Sequence, residues 1–105
     1  MKHAPLSELC RHAEEVARYL RVLAHPDRLI MLCRMIEGEV AVGELVALTG
    51  QSQSSVSQHL ATLRESGAVD VRAEAQSRFY RVADPKVRAI IGALCAACGP
   101  QGDAP

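Results

Sequence analysis

Aromatic side chains are nearly missing from this chain, which holds one Phe, two Tyr and no Trp in 105 residues. With 49% hydrophobic residues a core is still available, but it has to be aliphatic. Long apolar runs are missing too. No stretch of eighteen apolar residues occurs, and Met1 to Pro5 lead into an amphipathic pattern, so neither a membrane span nor a signal segment is expected. The reading is a soluble, cytoplasmic protein with no membrane partner. Net charge of one sign is the third absence. Twelve basic and twelve acidic residues balance, so any basic surface must come from local clustering.

The signatures of an enzyme are lacking as well. His3, His12, His25 and His59 fall at unrelated positions, there is no phosphate-binding glycine loop and no HExxH, and no Ser or Cys has a base partner at motif spacing. The chain reads as a non-enzyme without a cofactor. It has no internal repeat. Its length fits one domain that benefits from burying surface against a partner. Four cysteines are present, and in a reducing compartment these are free thiols, metal ligands or redox groups and not static staples.

The apolar pattern places the elements. Leu6, Leu9, Ala13, Val16, Ala17, Leu20, Leu23 and Ala24 recur at helical intervals and predict a long first helix. His25-Pro26 breaks it and starts a second helix, with Leu29, Leu32, Cys33 and Ile36 on one stripe and a stop at Gly38. Val42 to Leu48 predicts a short third helix ended near Gly50. Residues 51 to 54 supply turn and N-cap signals for a fourth, from about Ser54 to Ser66. Two short helices across a tight turn make a helix-turn-helix. Strands are expected over Val69 to Ala73 and Arg78 to Val82, with Glu74 to Ser77 as the hairpin tip, and a last helix runs from the Asp84-Pro85 cap to Cys98. The fold class is mainly α with a small β-hairpin, a winged helix-turn-helix over residues 1–98, followed by a flexible tail over 99–105.

The fourth helix carries the first functional signal. Val56, Leu60 and Leu63 share one face with His59 at its border, and the opposite face presents Ser54, Ser55, Ser57, Gln58, Ala61 and Thr62. Small polar side chains gain little from packing, yet they suit hydrogen bonds to base edges and phosphates and let a helix enter the major groove. A merely solvated face is the alternative for an isolated helix. Here the helix closes a helix-turn-helix and precedes a hairpin bearing Arg72, Arg78 and Arg81, which can reach phosphates or the minor groove. The expected DNA contacts are Gln53, Ser54, Ser55, Ser57, Gln58, His59, Thr62, Arg64, Arg72 and Arg78, against operator double-stranded DNA. A protein-interaction module with no DNA partner is the rival class, favoured by the balanced charge.

These residues resemble a known family. His25-Pro-Asp-Arg28, Val42-Gly-Glu-Leu45, Ser52 to Leu60, Leu63 to Gly67 and Phe79-Tyr-Arg81 are similar to the ArsR (ArsR/SmtB) bacterial winged-helix repressors, over about residues 10 to 98. The resemblance implies a homodimer, joined through the first and last helices, that releases operator DNA when an inducer binds or a thiol is modified. The sequence agrees, since Val87, Ile90, Ile91, Leu94 and Cys98 form an uncharged stripe.

The thiols are the second signal. A lone cysteine reads first as a small buried hydrophobe, but Cys95 and Cys98 lie three apart on one helix and can share a soft metal ion, or one can attack an oxidised partner. The family's arsenic-type and zinc-type sites lack their ligands here: Ala41, Val42 and Gly43 stand where cysteines would, and the last helix holds no His. A persulfide-sensing subgroup, similar to BigR, SqrR and HlyU, implies a thiol pair between the second and last helices, and Cys33 falls at its first position. The resemblance thus points to Cys33 and Cys98 as the sensor pair for reactive sulfur species, with Cys95 as substitute or resolving thiol. A soft metal ion of the As(III) or Cd(II) type on Cys95 and Cys98, with Cys10 or Cys33, remains the alternative.

Overall fold

A computed structural model describes residues 4–98, and the tail expected over 99–105 lies outside them. The chain runs α1 (Ala4–Leu23), α2 (Pro26–Met35), β1 (Val40–Ala41), α3 (Val42–Thr49), α4 (Gln53–Glu65), β2 (Val69–Glu74), β3 (Ser77–Val82) and α5 (Pro85–Cys98). The strands form one antiparallel sheet in the order β1-β3-β2. This is a winged helix-turn-helix.

Local chemistry sets the boundaries that matter for function. His25 is extended, its ring Nδ1 accepts the backbone N–H of Asp27 at 3.1 Å, and Pro26 opens α2. An orphan donor of the first turn is thereby satisfied. α3 ends at Gly50, whose φ of 72° is the left-handed conformation that glycine adopts without strain. Ser52 Oγ then accepts the N–H of Ser55 at 3.0 Å, so the N-cap of α4 is Ser52 and the helix starts at Gln53, one residue before the expected Ser54. Only Gly50 to Ser52 separate α3 from α4.

The core is aliphatic, as expected. Met31, Leu32 and Met35 of α2, Leu45 of α3, and Val56, Leu60 and Leu63 of α4 have no exposed surface, and Val69, Val82, Val87 and Ile91 close it. α2 buries more of its circumference than the stripe through Leu29 and Leu32 predicts. It is flanked by α3, α4 and α5 together, which draws Met31 and Met35 inward.

The hairpin differs from expectation at two points. Glu74 pairs with Ser77, so the tip is only Ala75 and Gln76, and Ala75 takes a φ of 56° to close it. The third strand, β1, pairs Val40 with Tyr80 and Ala41 with Phe79, and two residues are too few to show an alternating pattern.

α1 is the least engaged element. Leu23 is buried and Tyr19 and Val22 pack on the core, whereas Leu6, Leu9 and Leu20 are 57%, 53% and 50% exposed. Tyr19 Oη donates to Asp84 Oδ2 at 2.8 Å and ties α1 to the start of α5. Burial pushes the Asp84 carboxyl up, but the hydrogen bonds from Tyr19 and the Lys86 amide overcome this and leave it below its ordinary range. No helix of the described residues is long and apolar enough to cross a membrane.

Candidate DNA-reading face and thiol site

With Val56, Leu60 and Leu63 in the core, the geometry of α4 turns Gln53, Ser54, Ser57, Gln58, Ala61 and Arg64 outward. Ser55 and Thr62, also expected contacts, are half-buried, and the Thr62 hydroxyl donates to the Gln58 carbonyl at 3.2 Å. The wing stands beside this face. A cleft of about 500 Å³ lies between Gln53 and Ser57 of α4, Ala41 to Gly43 at the head of α3, and Gln76, Ser77, Arg78 and Tyr80 of the hairpin. Arg78 also lines a second hollow with Ser57, Ala61 and Arg64.

The arginines of the wing divide into two kinds. Arg72 donates to Glu39 at 2.6 and 2.9 Å and to Glu74 at 2.7 Å, and its guanidinium lies 4.8 Å from the centre of the Phe79 ring. That bond holds the Glu39 carboxyl below the ordinary range. Arg81 reaches Asp70 at 3.4 Å. Arg64 and Arg78 take part in none of the ion pairs among the described residues. Of the arginines on α4 and the wing, the two outside these ion pairs, Arg64 and Arg78, line one hollow where α4 and the wing meet. Arg72, expected to contact DNA, is neutralised by two carboxylates, one of them distant in sequence.

His59 does not face outward with its neighbours. Its side chain is 16% exposed, its ring centroid lies 4.4 Å from that of His25, and its Nε2 is 3.9 Å from Asp27 Oδ2. Arg28 reaches His59 Nδ1 at 3.4 Å and donates through Nε to the Val22 carbonyl. Since arginine only donates, His59 Nδ1 is the acceptor and its proton sits on Nε2, toward Asp27. Burial, then His25 and Arg28, hold the His59 imidazole below its ordinary pKa, with Asp27 opposing. His25, Asp27 and His59 have potential ligand atoms within 4.8 Å of one another. Both Nδ1 atoms face donors, however, and a metal at either Nε2 requires a proton on Nδ1, so this cluster is a hydrogen-bonded joint between α2 and α4. The sequence signal for it was the histidine and the arginine flanking Pro26-Asp27.

The thiols lie at the opposite end of α2. Cys33 is joined to Cys95 of α5 as a disulfide with Cα atoms 6.4 Å apart, while Cys10 and Cys98 are free and exposed. The bridge thus uses Cys95, expected as the substitute, in place of Cys98, the expected partner of Cys33. Rotation around α5 suits Cys98, which falls close to the Val87–Ile91 line, but it stands about 4.5 Å further along the axis than Cys95. Height along the helix, and not its phase, selects Cys95. Leu29, Ile30, Cys33, Ile91, Leu94, Cys95 and Cys98 line one cavity of about 300 Å³ that contains no charged group.

Comparison with known proteins agrees with this architecture. Residues 25–71, from the α2 cap through the reading helix to the first wing strand, match the bacterial regulatory protein arsR family. The chain is 46% identical to a biofilm growth-associated repressor of Agrobacterium fabrum, over 92% of this chain and 84% of that one. The transcriptional repressor BigR of Xylella fastidiosa superposes with a TM-score of 0.81 at 40% identity, covering 86% and 92% of the two chains. Reduced HlyU of Vibrio cholerae gives 0.81 at 38% identity, covering 85% and 94%. The chain belongs to the ArsR family of bacterial transcriptional regulators.

Proposed function

We propose that this chain is a homodimeric repressor that binds operator DNA through α4 and the wing, and whose affinity is switched by sulfur chemistry between Cys33 and Cys95. One observation carries the reading: α2 is shared. Its first turn grips His59 of the reading helix, and its later turn holds Cys33 against α5. Bridging the two thiols ties α2 to α5, so a shift of α2 reaches α4 through the histidine joint. In a symmetric dimer such a shift changes the separation of two reading helices, which is what a two-fold operator senses. A coupling of about 1–3 kcal/mol, roughly 5- to 150-fold in affinity, makes a working switch.

The dimer is supported by the apolar side chains that α1 and α5 leave exposed, Leu6, Leu9 and Leu20 on one and Leu94 on the other. The inducer proposed is a reactive sulfur species or another thiol oxidant. The cavity beside Cys33 is uncharged, which suits a small polysulfide fragment or an apolar oxidant more than a highly charged one. A second reading keeps the thiolates as ligands for a soft ion of the As(III) or Cd(II) type. It is favoured by the fact that three cysteines, Cys33, Cys95 and Cys98, line one cavity.

The test is operator binding by fluorescence anisotropy, with the promoter region of the chain's own operon, across salt concentrations and before and after sodium tetrasulfide. The reduced protein should bind with affinity that falls steeply with salt, sediment as a dimer, and lose affinity once Cys33 and Cys95 are linked. Binding that ignores the linkage removes the sulfur switch. Stoichiometric uptake of As(III) by the reduced thiols with loss of DNA affinity promotes the second reading.

A further inference from the structure

The thiol site holds one cysteine more than a bridge needs. Cys98 lines the same cavity as the joined Cys33 and Cys95, is exposed, and lies one helical turn beyond Cys95 on α5. Residues three apart on a helix have Cβ atoms about 5–6 Å apart, and a disulfide needs about 3.5–4.5 Å. Closing that gap inside a helix would disturb the helical backbone. Cys98 is the last residue of α5, where carbonyl partners are already missing and the final turn adjusts at small cost.

We propose that Cys98 is a resolving thiol that moves the disulfide off α2. As the thiolate, Cys98 attacks Sγ of Cys95; the Cys95–Cys98 bond forms, the Cys33–Cys95 bond breaks, and Cys33 leaves as a thiolate. The proton lost from Cys98 goes to solvent and one is taken up by Cys33. No electron is gained or lost, so the exchange needs no further oxidant or reductant. This inference rests on the functional reading above and adds a direction to it. The Cys33–Cys95 form ties two helices together and carries the signal. The Cys95–Cys98 form is equally oxidised but confined to one helix, so α2 is released. The response to an oxidant pulse is then self-limiting before any reductant arrives.

The cavity also explains why Cys98 and not Cys10 plays this part. Cys10 is free and exposed on α1 but does not line the cavity around the bridge.

The experiment uses the full-length reduced protein, oxidised with one equivalent of diamide, quenched at intervals in acid with N-ethylmaleimide and mapped by peptide mass spectrometry, with operator affinity read on the same samples. The expected course is early Cys33–Cys95 with Cys98 alkylated, converting to Cys95–Cys98 with Cys33 alkylated, while operator affinity recovers. Cys98→Ser removes an exposed sulfur outside the core and should freeze the first form, so that recovery slows at least about tenfold. If wild type stops at Cys33–Cys95 and recovers no faster than Cys98→Ser, or if Cys98 appears only in bonds between subunits, the relay is overturned. Formation of Cys33–Cys95 with no change in operator affinity overturns the functional reading instead, whichever way Cys98 behaves. A time course in which Cys33–Cys95 never forms overturns both.

Discussion

The outward face of α4 and the face shared by α2 and α5 are built from opposite materials. The first is small, hydroxylic and amidic, set on a helix whose other side carries the buried Val56, Leu60 and Leu63, and flanked by two arginines that take part in none of the ion pairs among the described residues. The second is uncharged and lined by Leu, Ile and Cys, with Cys33 of α2 facing Cys95 of α5. A reading surface has to be preformed, because a contact that must first be organised loses affinity to ordering. The proposed sensing role asks instead for two arrangements of similar free energy, which a reversible bond between two helices would supply. α2 touches the helices behind both regions: its first turn meets His59 of α4 and its later turn carries Cys33 to α5.

This division can be broken from either side. Ser57→Glu places a carboxylate at the centre of the cleft between α4 and the wing and touches no core residue. Specific operator binding should fall by more than about 100-fold, toward the non-specific level, while circular dichroism and the thiol chemistry stay as in wild type. Retained affinity would mean that α4 is not the reading helix. From the other side, Cys33→Ser should leave a protein that binds operator but shows no difference between reduced and tetrasulfide-treated samples, where the wild type changes by roughly 5- to 150-fold. A response surviving this substitution would move the sensor elsewhere, to Cys10 or to the Cys95–Cys98 pair.

A smaller effect tests the electrostatics inside the reading surface. Arg78→Ala should lower the slope of log affinity against log salt by about one, the loss of one phosphate contact. Arg72→Ala should change that slope by clearly less, because Glu39 and Glu74 already neutralise its charge. Its cost should appear in the melting of the hairpin, where it spans from β1's approach to β2 and covers Phe79. Equal slopes for the two variants would show that the carboxylates let go of Arg72 when DNA arrives.

The helices, their order and the outward face of α4 were legible in the sequence because each depends on periodicity and on caps within a few residues. Val56, Leu60 and Leu63 give both the buried side of α4 and, by subtraction, its outward side. What was not legible depends on partners far along the chain. Glu74, two residues from Arg72, is visible in the sequence as a dilution of the wing's charge, but the second carboxylate, Glu39, stands thirty-three residues earlier and is brought beside Arg72 only by the fold. The resemblance points to Cys98 as the partner of Cys33, with Cys95 as its substitute, and the height of each thiol along α5, which brings Cys95 to Cys33, is set only by how α5 packs on α2. β1 is two residues long and exists only because Phe79 and Tyr80 offer it an edge. His59 sits at the border of the apolar stripe, and its neighbours on α4 alone do not decide whether it turns to DNA or to α2.

The smallest expected effect concerns that histidine, and it bears on whether the two regions communicate. His59 is held below the ordinary histidine pKa of about 6.5, by burial first and then by His25 and Arg28, so the folded state prefers it neutral. The unfolded chain takes up the proton first as pH falls. The contribution of this joint is therefore complete above about pH 6.5 and is lost as pH drops through the lower folded value. Protonated His59 would present a cation to Arg28 with Asp27 alone to offset it, and its Nδ1 could no longer accept from the guanidinium. Urea midpoints measured between pH 7.5 and 5 should decline for the wild type and decline less for His59→Gln, which keeps a polar side chain but does not titrate. The same substitution should weaken the coupling between thiol linkage and operator affinity, since α2 then grips the reading helix less firmly. If both proteins lose stability in parallel and keep equal coupling, the path from Cys33 to α4 runs through the aliphatic core around Met31 and Leu60 and not through the histidine joint.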